Sequence, residues 1–230
     1  MKMYIELMNK DDANYESIIL TSDMFNNIKI KNQYLFLKML DNEYEDIKLK
    51  KGFYNIIFNI KIGERIVGRV EICMTNVVNN EEIFYQSWYE EEYSMGIIAA
   101  NIINENLYYK LKQYSRAAVI TYFKLYNTED RGKGHGSFVF SNIENIIKKI
   151  FKIDVIYLYA SPLDLSDNAQ LYKEFIESDT YNKQFLFDEL YDIEKKNAIN
   201  EYEKKVKGVD NFYYKNNMKY INNHVFMKII

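Results

Sequence analysis

The sequence predicts a mixed α/β (α+β) fold, in which helices flank a sheet that contains both parallel and antiparallel strands. Residues 117–160 follow the order strand, glycine-rich loop, helix, strand. This βαβ order implies two parallel strands joined by a right-handed crossover. Residues 53–75 and 218–230 each contain two β-rich runs around a short turn, which is typical of antiparallel hairpins.

Predicted strands are runs of β-branched and aromatic residues bounded by turn residues. Residues 153–160, IDVIYLYA, are almost entirely apolar and are expected to form a buried strand. Asn222-Asn223 is a favourable two-residue hairpin turn. The strands expected in chain order are 3–8, 53–62, 65–75, 117–126, 153–160, 218–221 and 224–230.

Predicted helices have apolar residues at helical spacing. Within 136–150, Val139, Ile143 and Ile147 share one face, and Lys148-Lys149 suit the negative end of the helix dipole. Residues 76–93 are acidic and are expected to be irregular. The expected helices are two within 12–48, one over 94–114, one over 136–150, helical segments within 163–208, and a short helix over 211–217.

The composition is that of a folded protein without a strong excess of either charge. The chain has 230 residues, of which 48% are hydrophobic and 16% aromatic, and this excludes a disordered chain. A net charge of −3 argues against general binding of duplex nucleic acid, which needs a basic surface. No linker rich in Gly, Ser or Pro divides the chain, so we predict a single domain over 1–230 that carries insertions.

Cysteine content and hydropathy favour a reducing, aqueous compartment. Cys73 is the single cysteine, which excludes an intramolecular disulfide and a Cys-based zinc site. His135 and His224 are far apart in the chain, so no metal site is expected. The first residues lack the apolar stretch of a signal peptide, and no run of about 18 apolar residues occurs. We therefore expect a cytoplasmic protein that does not bind a membrane.

The most informative segment is Arg131–Ser137, with the sequence RGKGHGS. Three of the chain's 8 glycines lie within it, and glycine lets a backbone adopt positive φ and approach a ligand closely. The first turn of the following helix has unpaired N–H groups at the positive end of its dipole. Arg131 and Lys133 add positive charge. Together these features predict a site for an anion such as a diphosphate.

Spacing excludes two other kinds of phosphate loop. A Walker loop ends in Gly-Lys followed by Ser or Thr, which does not occur here. The Rossmann fingerprint has the order G-x-G-x-x-G, whereas this segment has G-x-G-x-G and lies past the middle of the chain. The remaining alternative is a glycine-rich turn that binds nothing.

These residues resemble the GNAT superfamily of N-acetyltransferases. Arg131–Gly136 matches its motif of Arg or Gln, two variable residues, Gly, one variable residue, then Gly or Ala. Phe212–Met218 resembles its F-Y-E-K-x-G-F segment, with Asn217 in place of Gly and Met218 in place of the aromatic residue. The resemblance covers 116–160 and 211–230, is weaker over 50–75, and is absent from about 76–115 and 163–209, which we interpret as insertions.

The resemblance implies a sheet that splays open between the family's fourth and fifth strands and binds acetyl-CoA (coenzyme A) there. Pantetheine would pair with the backbone near the end of the fourth strand, and the diphosphate would lie on the loop amides. The implied cofactor-binding residues are Leu125, Tyr126, Arg131, Gly132, Lys133, Gly134, His135, Gly136 and Ser137.

The implied activity is direct transfer of an acetyl group to a primary amine of a small molecule or protein, within a ternary complex. By position, Tyr213 would donate a proton to the departing thiolate, with Tyr172 as a rival donor. No family base is evident; Glu71 or an ordered water could serve, and a surface salt bridge is the alternative role of Glu71. The alternative function is a catalytically weak or inactive binding or inhibitor protein that acts through a protein partner. A homodimer remains open.

Overall fold

The computed structural model describes residues 3–8, 18–20, 53–62, 65–76, 81–91, 93–111, 113–114, 116–149, 151–177 and 186–230. The strands in this part of the chain are β1 Met3–Met8, β2 Ile18–Leu20, β3 Phe53–Ile62, β4 Arg65–Asn76, β5 Arg116–Leu125, β6 Val155–Tyr159, β7 Lys219–Tyr220 and β8 Val225–Ile229. The helices are α1 Glu81–Glu91, α2 Tyr93–Asn104, α3 Tyr108–Leu111, α4 His135–Lys149, α5 Asp167–Glu177 and α6 Asp192–Lys215.

The chain divides into two compact units, one comprising residues 1–159 with 216–230 and the other residues 160–215. The second unit contains the segment 163–209 that the sequence analysis identified as an insertion. Among the described helices, none combines the length and the apolar character that crossing a bilayer requires.

The first unit is built on a mixed sheet with strand order β2-β1-β3-β4-β5-β6-β8-β7. β5 and β6 pair in parallel, whereas β4 with β5 and β6 with β8 pair antiparallel. The parallel pair is the one that the βαβ pattern predicted, so the predicted fold class is confirmed. The two hairpins, β3–β4 and β7–β8, are also confirmed.

The parallel pairing of β5 with β6 covers only the first half of β5. It runs from Ala117 opposite Val155 to Ile120 opposite Leu158, while β5 continues to Leu125. At the same place the register between β4 and β5 shifts, and Thr121 becomes an extra residue on β5. Such a bulge bends the strand that carries it. The sheet therefore opens between β5 and β6 beyond Ile120, as the resemblance predicted.

Helices α1 and α2 cover one face of this sheet. Phe84, Trp88 and Met95 are buried in one cluster with inward-facing residues of four strands, namely Cys73, Ala117, Val119, Val155, Tyr157, Val225 and Met227. The prediction that 76–93 is irregular was wrong, because α1 spans Glu81–Glu91. Its acidic residues Glu81 and Glu82 lie in the first turn, where the helix dipole favours negative charge.

Helix α4 lies against the opposite face. On β8, Lys228 alternates with Met227 and so points away from α1 and α2. Its Nζ donates to Glu144 Oε2 at 2.6 Å and lies 5.9 Å from the centre of the Phe140 ring, and both partners belong to α4. The buried stripe of α4 includes the predicted Val139, Ile143 and Ile147, and its bounds differ from the predicted 136–150 by one residue.

Four other predicted elements differ from the structure. The single helix expected over 94–114 is interrupted, because α2 ends at Asn104 and α3 begins at Tyr108. Residues 211–217 do not form a separate short helix, because α6 is continuous to Lys215 and accommodates Gly208 in its interior. The β7–β8 turn is shifted by one residue, since Asn223 and His224 carry the positive φ values. Within 12–48, where two helices were expected, residues Ile18–Leu20 form a strand, and the rest of that range lies outside the described residues.

The second unit is held together by aromatic packing between its helices. Tyr172 on α5 packs against Phe187 and against Tyr202 on α6, with ring centroids 5.1 Å and 5.5 Å apart. Phe175 packs on Phe187 at 4.9 Å. These contacts explain why a segment with so many charged residues still forms a compact unit.

A polar network fixes the start of α5 to α6. Ser166 caps α5, since its carbonyl accepts from the N–H of Gln170 and its Oγ from that of Ala169. Glu201 accepts from the N–H and the hydroxyl of Ser166 at 3.0 Å and 2.6 Å, and from Lys205 Nζ at 2.7 Å. The Lys205 and Ser166 donors lower the pKa of Glu201 to about 2.

Replacing Glu201 with Gln is expected to destabilise the second unit by about 1 kcal/mol at neutral pH, since the network is partly open to solvent. Because the folded-state pKa is lowered, the stabilisation is present above the ordinary carboxyl pKa of 4.5 and is lost towards about 2. Thermal unfolding followed by circular dichroism should therefore separate variant and parent at neutral pH, and the two should converge in acid. The matched control is Glu203→Gln, an exposed residue of the same helix; equal effects of the two changes would contradict the network's role.

Candidate functional site

The glycine-rich segment joins the open end of β5 to the first turn of α4. The Gly134 carbonyl accepts a hydrogen bond from the N–H of Phe138 at 3.0 Å, which makes Gly134 the N-cap of α4. Helix geometry then leaves the N–H groups of His135, Gly136 and Ser137 without an acceptor inside the helix. These amides, at the positive end of a 15-residue helix, can hold an anion.

Gly132 and Gly134 have φ values of 74° and 80°, which confirms the left-handed conformation that the sequence suggested for this loop. A Cβ atom built on either glycine would meet no protein atom within 4 Å. The backbone at both positions therefore borders open space, which an approaching phosphate group can enter. Arg131, Lys133 and Ser137 are exposed around it.

A buried carboxylate, that of Asp130, fixes the start of the loop. Asp130 is 5% exposed, and its Oδ1 accepts from Arg65 Nη2, at the start of β4, at 3.1 Å. The hydrogen bond from Arg65 lowers the pKa of Asp130, and the positive charge of Lys133 adds to this effect. Asp130 was not among the residues predicted for the site. The only local signal was a carboxylate directly before Arg131, and its partner lies 65 residues away.

Arg131 binds the end of β5 through its side chain. Its Nε and Nη2 donate to the Leu125 carbonyl at 3.3 Å and 3.0 Å. The N–H of Tyr126, in the same peptide unit, donates to Val67 on β4. Since the N–H and C=O of a planar trans peptide point in opposite directions, the Leu125 carbonyl points away from β4, towards the open side of β5. Arg131 thus lies where pantetheine was expected to pair, and its predicted contact with a diphosphate stays a prediction.

The two segments that carry the family resemblance meet in the structure. Asn216 Nδ2 donates to Ser137 Oγ at 3.3 Å, and the Asn216 carbonyl accepts from Lys228 Nζ at 3.0 Å. Asn217 has a φ of 59°, the left-handed conformation of the glycine that it replaces in the family motif. Met218, which follows, is buried.

His135, the first residue of α4, is half-buried. Its Nδ1 is enclosed and has no hydrogen-bond partner among the described residues. The backbone N–H of His135 remains the group expected to face an anion. Tyr126 and Phe138, on either side of the loop, expose 44% and 43% of their surface.

Glu71 lies on β4 next to the bulge, opposite Tyr122 in the register. Its Oε1 forms an ion pair with Arg69 Nη2 at 2.8 Å. Glu71 therefore forms the salt bridge that was the alternative to a catalytic role. Its role as a general base stays a prediction. Among the described residues, no group of three or more His, Cys, Asp or Glu side chains is arranged to hold a metal ion.

The two candidate proton donors are both tyrosines of the second unit. Tyr213, in the last turn of α6, is 7% exposed, and burial raises its pKa. The hydroxyl therefore keeps its proton at neutral pH, but a raised pKa also makes donation to a thiolate less favourable. Tyr172 belongs to the aromatic cluster of α5 and α6, which accounts for this residue by packing.

At the sequence level, no family model matches the chain, and no curated protein matches it. Among solved structures, it is similar to a mosquito arylalkylamine N-acetyltransferase like 5b, with 7% identity and a TM-score of 0.37 over 70% of this chain and 78% of the other. It is also similar to a Drosophila melanogaster polyamine N-acetyltransferase that catalyses the formation of N-acetylagmatine, with 10% identity and a TM-score of 0.36 over 74% and 81%. Similarities at this level carry no argument about this chain's activity.

Replacing Asp130 with Asn should lower the urea concentration at the midpoint of unfolding, because the Arg65 guanidinium loses a charged acceptor. Since the folded pKa of Asp130 is lowered, its contribution exists above the ordinary value of 3.8 and disappears as the pH falls. Urea unfolding at neutral and acid pH measures both effects. Glu129→Gln, at the exposed neighbouring position, should change stability by less than about 0.5 kcal/mol. If the two variants unfold alike at neutral pH, the anchor role is wrong.

Proposed function

We propose that this chain is an acetyltransferase that binds acetyl-CoA at Arg131–Ser137 and transfers the acetyl group to a primary amine. The observation that carries the proposal is the pair of left-handed glycines, Gly132 and Gly134, directly before the first turn of α4. The sequence resemblance to the GNAT superfamily supplies the chemistry.

The residues of the loop fit the diphosphate of coenzyme A. The space beside both left-handed glycines is open, and the amides of His135, Gly136 and Ser137 stand at the positive end of α4. Lys133 is exposed beside them and would add charge. Leu125 and Tyr126, beyond the last β6 partner of β5, are proposed to pair with pantetheine. The Leu125 carbonyl, which now accepts from Arg131, faces that side of the strand and would be shared with or transferred to pantetheine. Bound acetyl-CoA would supply an acetyl group activated as a thioester.

The remaining roles belong to the chain's own polar groups. Tyr213 is proposed to hold the proton that the leaving thiolate needs, and burial keeps that hydroxyl protonated. Glu71 is proposed to accept a proton from the attacking amine, and its ion pair with Arg69 fixes the carboxylate beside the bulge. We propose direct transfer within a ternary complex and a cytoplasmic location.

Two observations favour a second candidate, a protein of this fold that binds coenzyme A but does not catalyse transfer. The carboxylate of Glu71 is already engaged by Arg69, and the hydroxyl of Tyr213 is buried with a raised pKa. Release of free coenzyme A from acetyl-CoA, measured with a panel of small primary amines and lysine peptides, separates the candidates. Binding without turnover on every amine would favour the second.

Gly134→Val should weaken coenzyme A binding at least about tenfold in a calorimetric titration, since the side chain enters the open space beside the backbone and forces a strained φ. Gly134→Ala should also weaken coenzyme A binding, but by less, because alanine is smaller and is not branched at Cβ. The control is Gly208→Val, because Gly208 lies in α6 and a Cβ there also meets no atom within 4 Å. Unchanged affinity in a folded Gly134→Val protein would remove the site.

Tyr213→Phe should lower kcat by about a hundredfold and leave the affinity for coenzyme A unchanged, because only the proton donor is lost. Tyr214→Phe is the matched control, since it removes the hydroxyl of the exposed neighbour. Steady-state kinetics with the best amine of the panel measure the effect. Full activity of Tyr213→Phe would exclude Tyr213, and a loss confined to Tyr172→Phe would transfer the role to Tyr172.

A further inference from the structure

The bulge in β5 determines which side chains of that strand lie on the sheet face that carries α1 and α2. Cys73 belongs to this face, and alternation along β4 places Glu71 and Arg69 on it as well. In the register beyond the bulge, Tyr122 lies opposite Glu71, and Lys124 lies opposite Arg69. Residues directly opposite each other share a face. Without the extra residue, each side chain of β5 beyond this point would lie on the other face, so the bulge brings these polar side chains together.

Five polar residues are therefore neighbours on this part of the sheet. This polar patch consists of Asn59 on β3, Arg69 and Glu71 on β4, and Tyr122 and Lys124 on β5. Each of the five is half-buried, so the patch is partly open to solvent. It contains two cationic side chains and one carboxylate. The register adds Glu6 of β1, which lies opposite Asn59 and two strands away from Arg69.

The guanidinium of Arg69 is only partly engaged by the described residues. Its Nη2 lies 2.8 Å from Glu71 Oε1, whereas its Nε is buried and has no hydrogen-bond partner among those residues. Buried donors are nearly always paired, so an orphaned one indicates a missing acceptor, such as a water or an ion. The side chain as a whole is 36% exposed, which leaves the guanidinium open to a molecule from solution.

We propose that this polar patch binds the carboxylate group of a small organic acid. A guanidinium is planar and can donate two parallel hydrogen bonds to the two oxygens of a carboxylate. A small rotation of the exposed end of Arg69 would present Nε and one Nη to such a ligand. The positive charge of Lys124, directly opposite Arg69, favours the same ligand.

Glu71 narrows the class of ligand, because its carboxylate repels a simple anion and attracts an ammonium group. An amino acid carries both groups, so its carboxylate would lie at Arg69 and its ammonium group at Glu71. Recognition of the carboxylate needs neither coenzyme A nor transfer chemistry. That the amino acid is also the acetyl acceptor rests on the proposed function.

Nitrogen-15 NMR of the arginine side chains tests carboxylate binding directly. The chain has four arginines, and replacing each in turn with lysine assigns the four Nε signals, namely those of Arg65, Arg69, Arg116 and Arg131. Titration of the full chain with β-alanine should shift the Arg69 signal saturably. Propionate should do so with lower affinity, and the uncharged propionamide should not. A shift confined to Arg131 would place the carboxylate at the loop and overturn the proposal, as would an Arg69 signal that responds to none of the ligands.

Variants separate the two halves of the patch, with backbone amide shifts as the readout. Arg69→Met should weaken the binding of both propionate and β-alanine about tenfold. Lys148→Met, which removes a charge from an exposed position of α4, should have no effect. Glu71→Gln should strengthen propionate binding about threefold and weaken β-alanine binding by a similar factor, because a negative charge is lost. Changes in the same direction for both ligands would contradict the proposal even if Arg69→Met did not fold.

The acceptor role is measured separately, from release of coenzyme A. In the parent, kcat/KM for β-alanine should exceed that for β-alaninamide at least about tenfold, and Arg69→Met should remove the preference. Equal turnover of the acid and the amide would exclude the patch as an acceptor site. Binding of β-alanine with no turnover of any amine would count against the proposed function and support the carboxylate site.

Discussion

The constraint on which the candidate site depends is the early end of the pairing between β5 and β6. The last residue of β5 that pairs with β6 is Ile120, which lies opposite Leu158. The next residue, Thr121, is the extra residue of a bulge against β4, and it bends β5 at this place. Beyond that point β5 is still paired with β4, up to Leu125 opposite Gly68, and it leads directly into the loop. Peptide groups such as the Leu125 carbonyl then point into the opening instead of towards a strand. β6 itself ends at Tyr159, one residue beyond its last pair with β5, so this side of β5 is left without a partner from β6 where the chain approaches α4.

A loop with three glycines has a large conformational entropy, and an anion site needs its amides held in one arrangement. The structure meets this requirement from both ends of the loop. The ion pair of the buried Asp130 with the half-exposed Arg65 holds the start of the loop, and the guanidinium of Arg131 holds the loop to the end of β5. The contact of Ser137 with Asn216 holds the first turn of α4. The glycines supply the backbone conformation, and their polar neighbours stop the loop from moving away from it.

The parts of the fold that sequence predicted well are those whose signal is local. The apolar stripe of α4, the continuous apolar run of β6 and the positive φ of the loop glycines each follow from a short window of residues. Helix α1 was missed because its sequence is acidic and weakly periodic; it is stabilised by burial of Phe84 and Trp88 against strands far along the chain. Helix α6 continues through Gly208, because one interior glycine lowers helix stability only modestly and the helix also buries Ala198, Tyr202 and Val206. The Asp130–Arg65 pair and the bulge at Thr121 are long-range pairings, and a single sequence carries no signal for the partner.

The arrangement of charge in the first unit has a physical logic of its own. The anion site proposed at α4 would use backbone amides and a helix N-terminus, so it needs few basic side chains and is compatible with the overall net charge of −3. Glu81 and Glu82, in the first turn of α1, lie near the C-terminal end of α2, and so the polarity there is the opposite. The sheet separates them, because α1 and α2 pack on one face and α4 on the other. A chain of nearly balanced composition can therefore carry regions of opposite polarity on the two faces of its sheet, which total charge alone does not reveal.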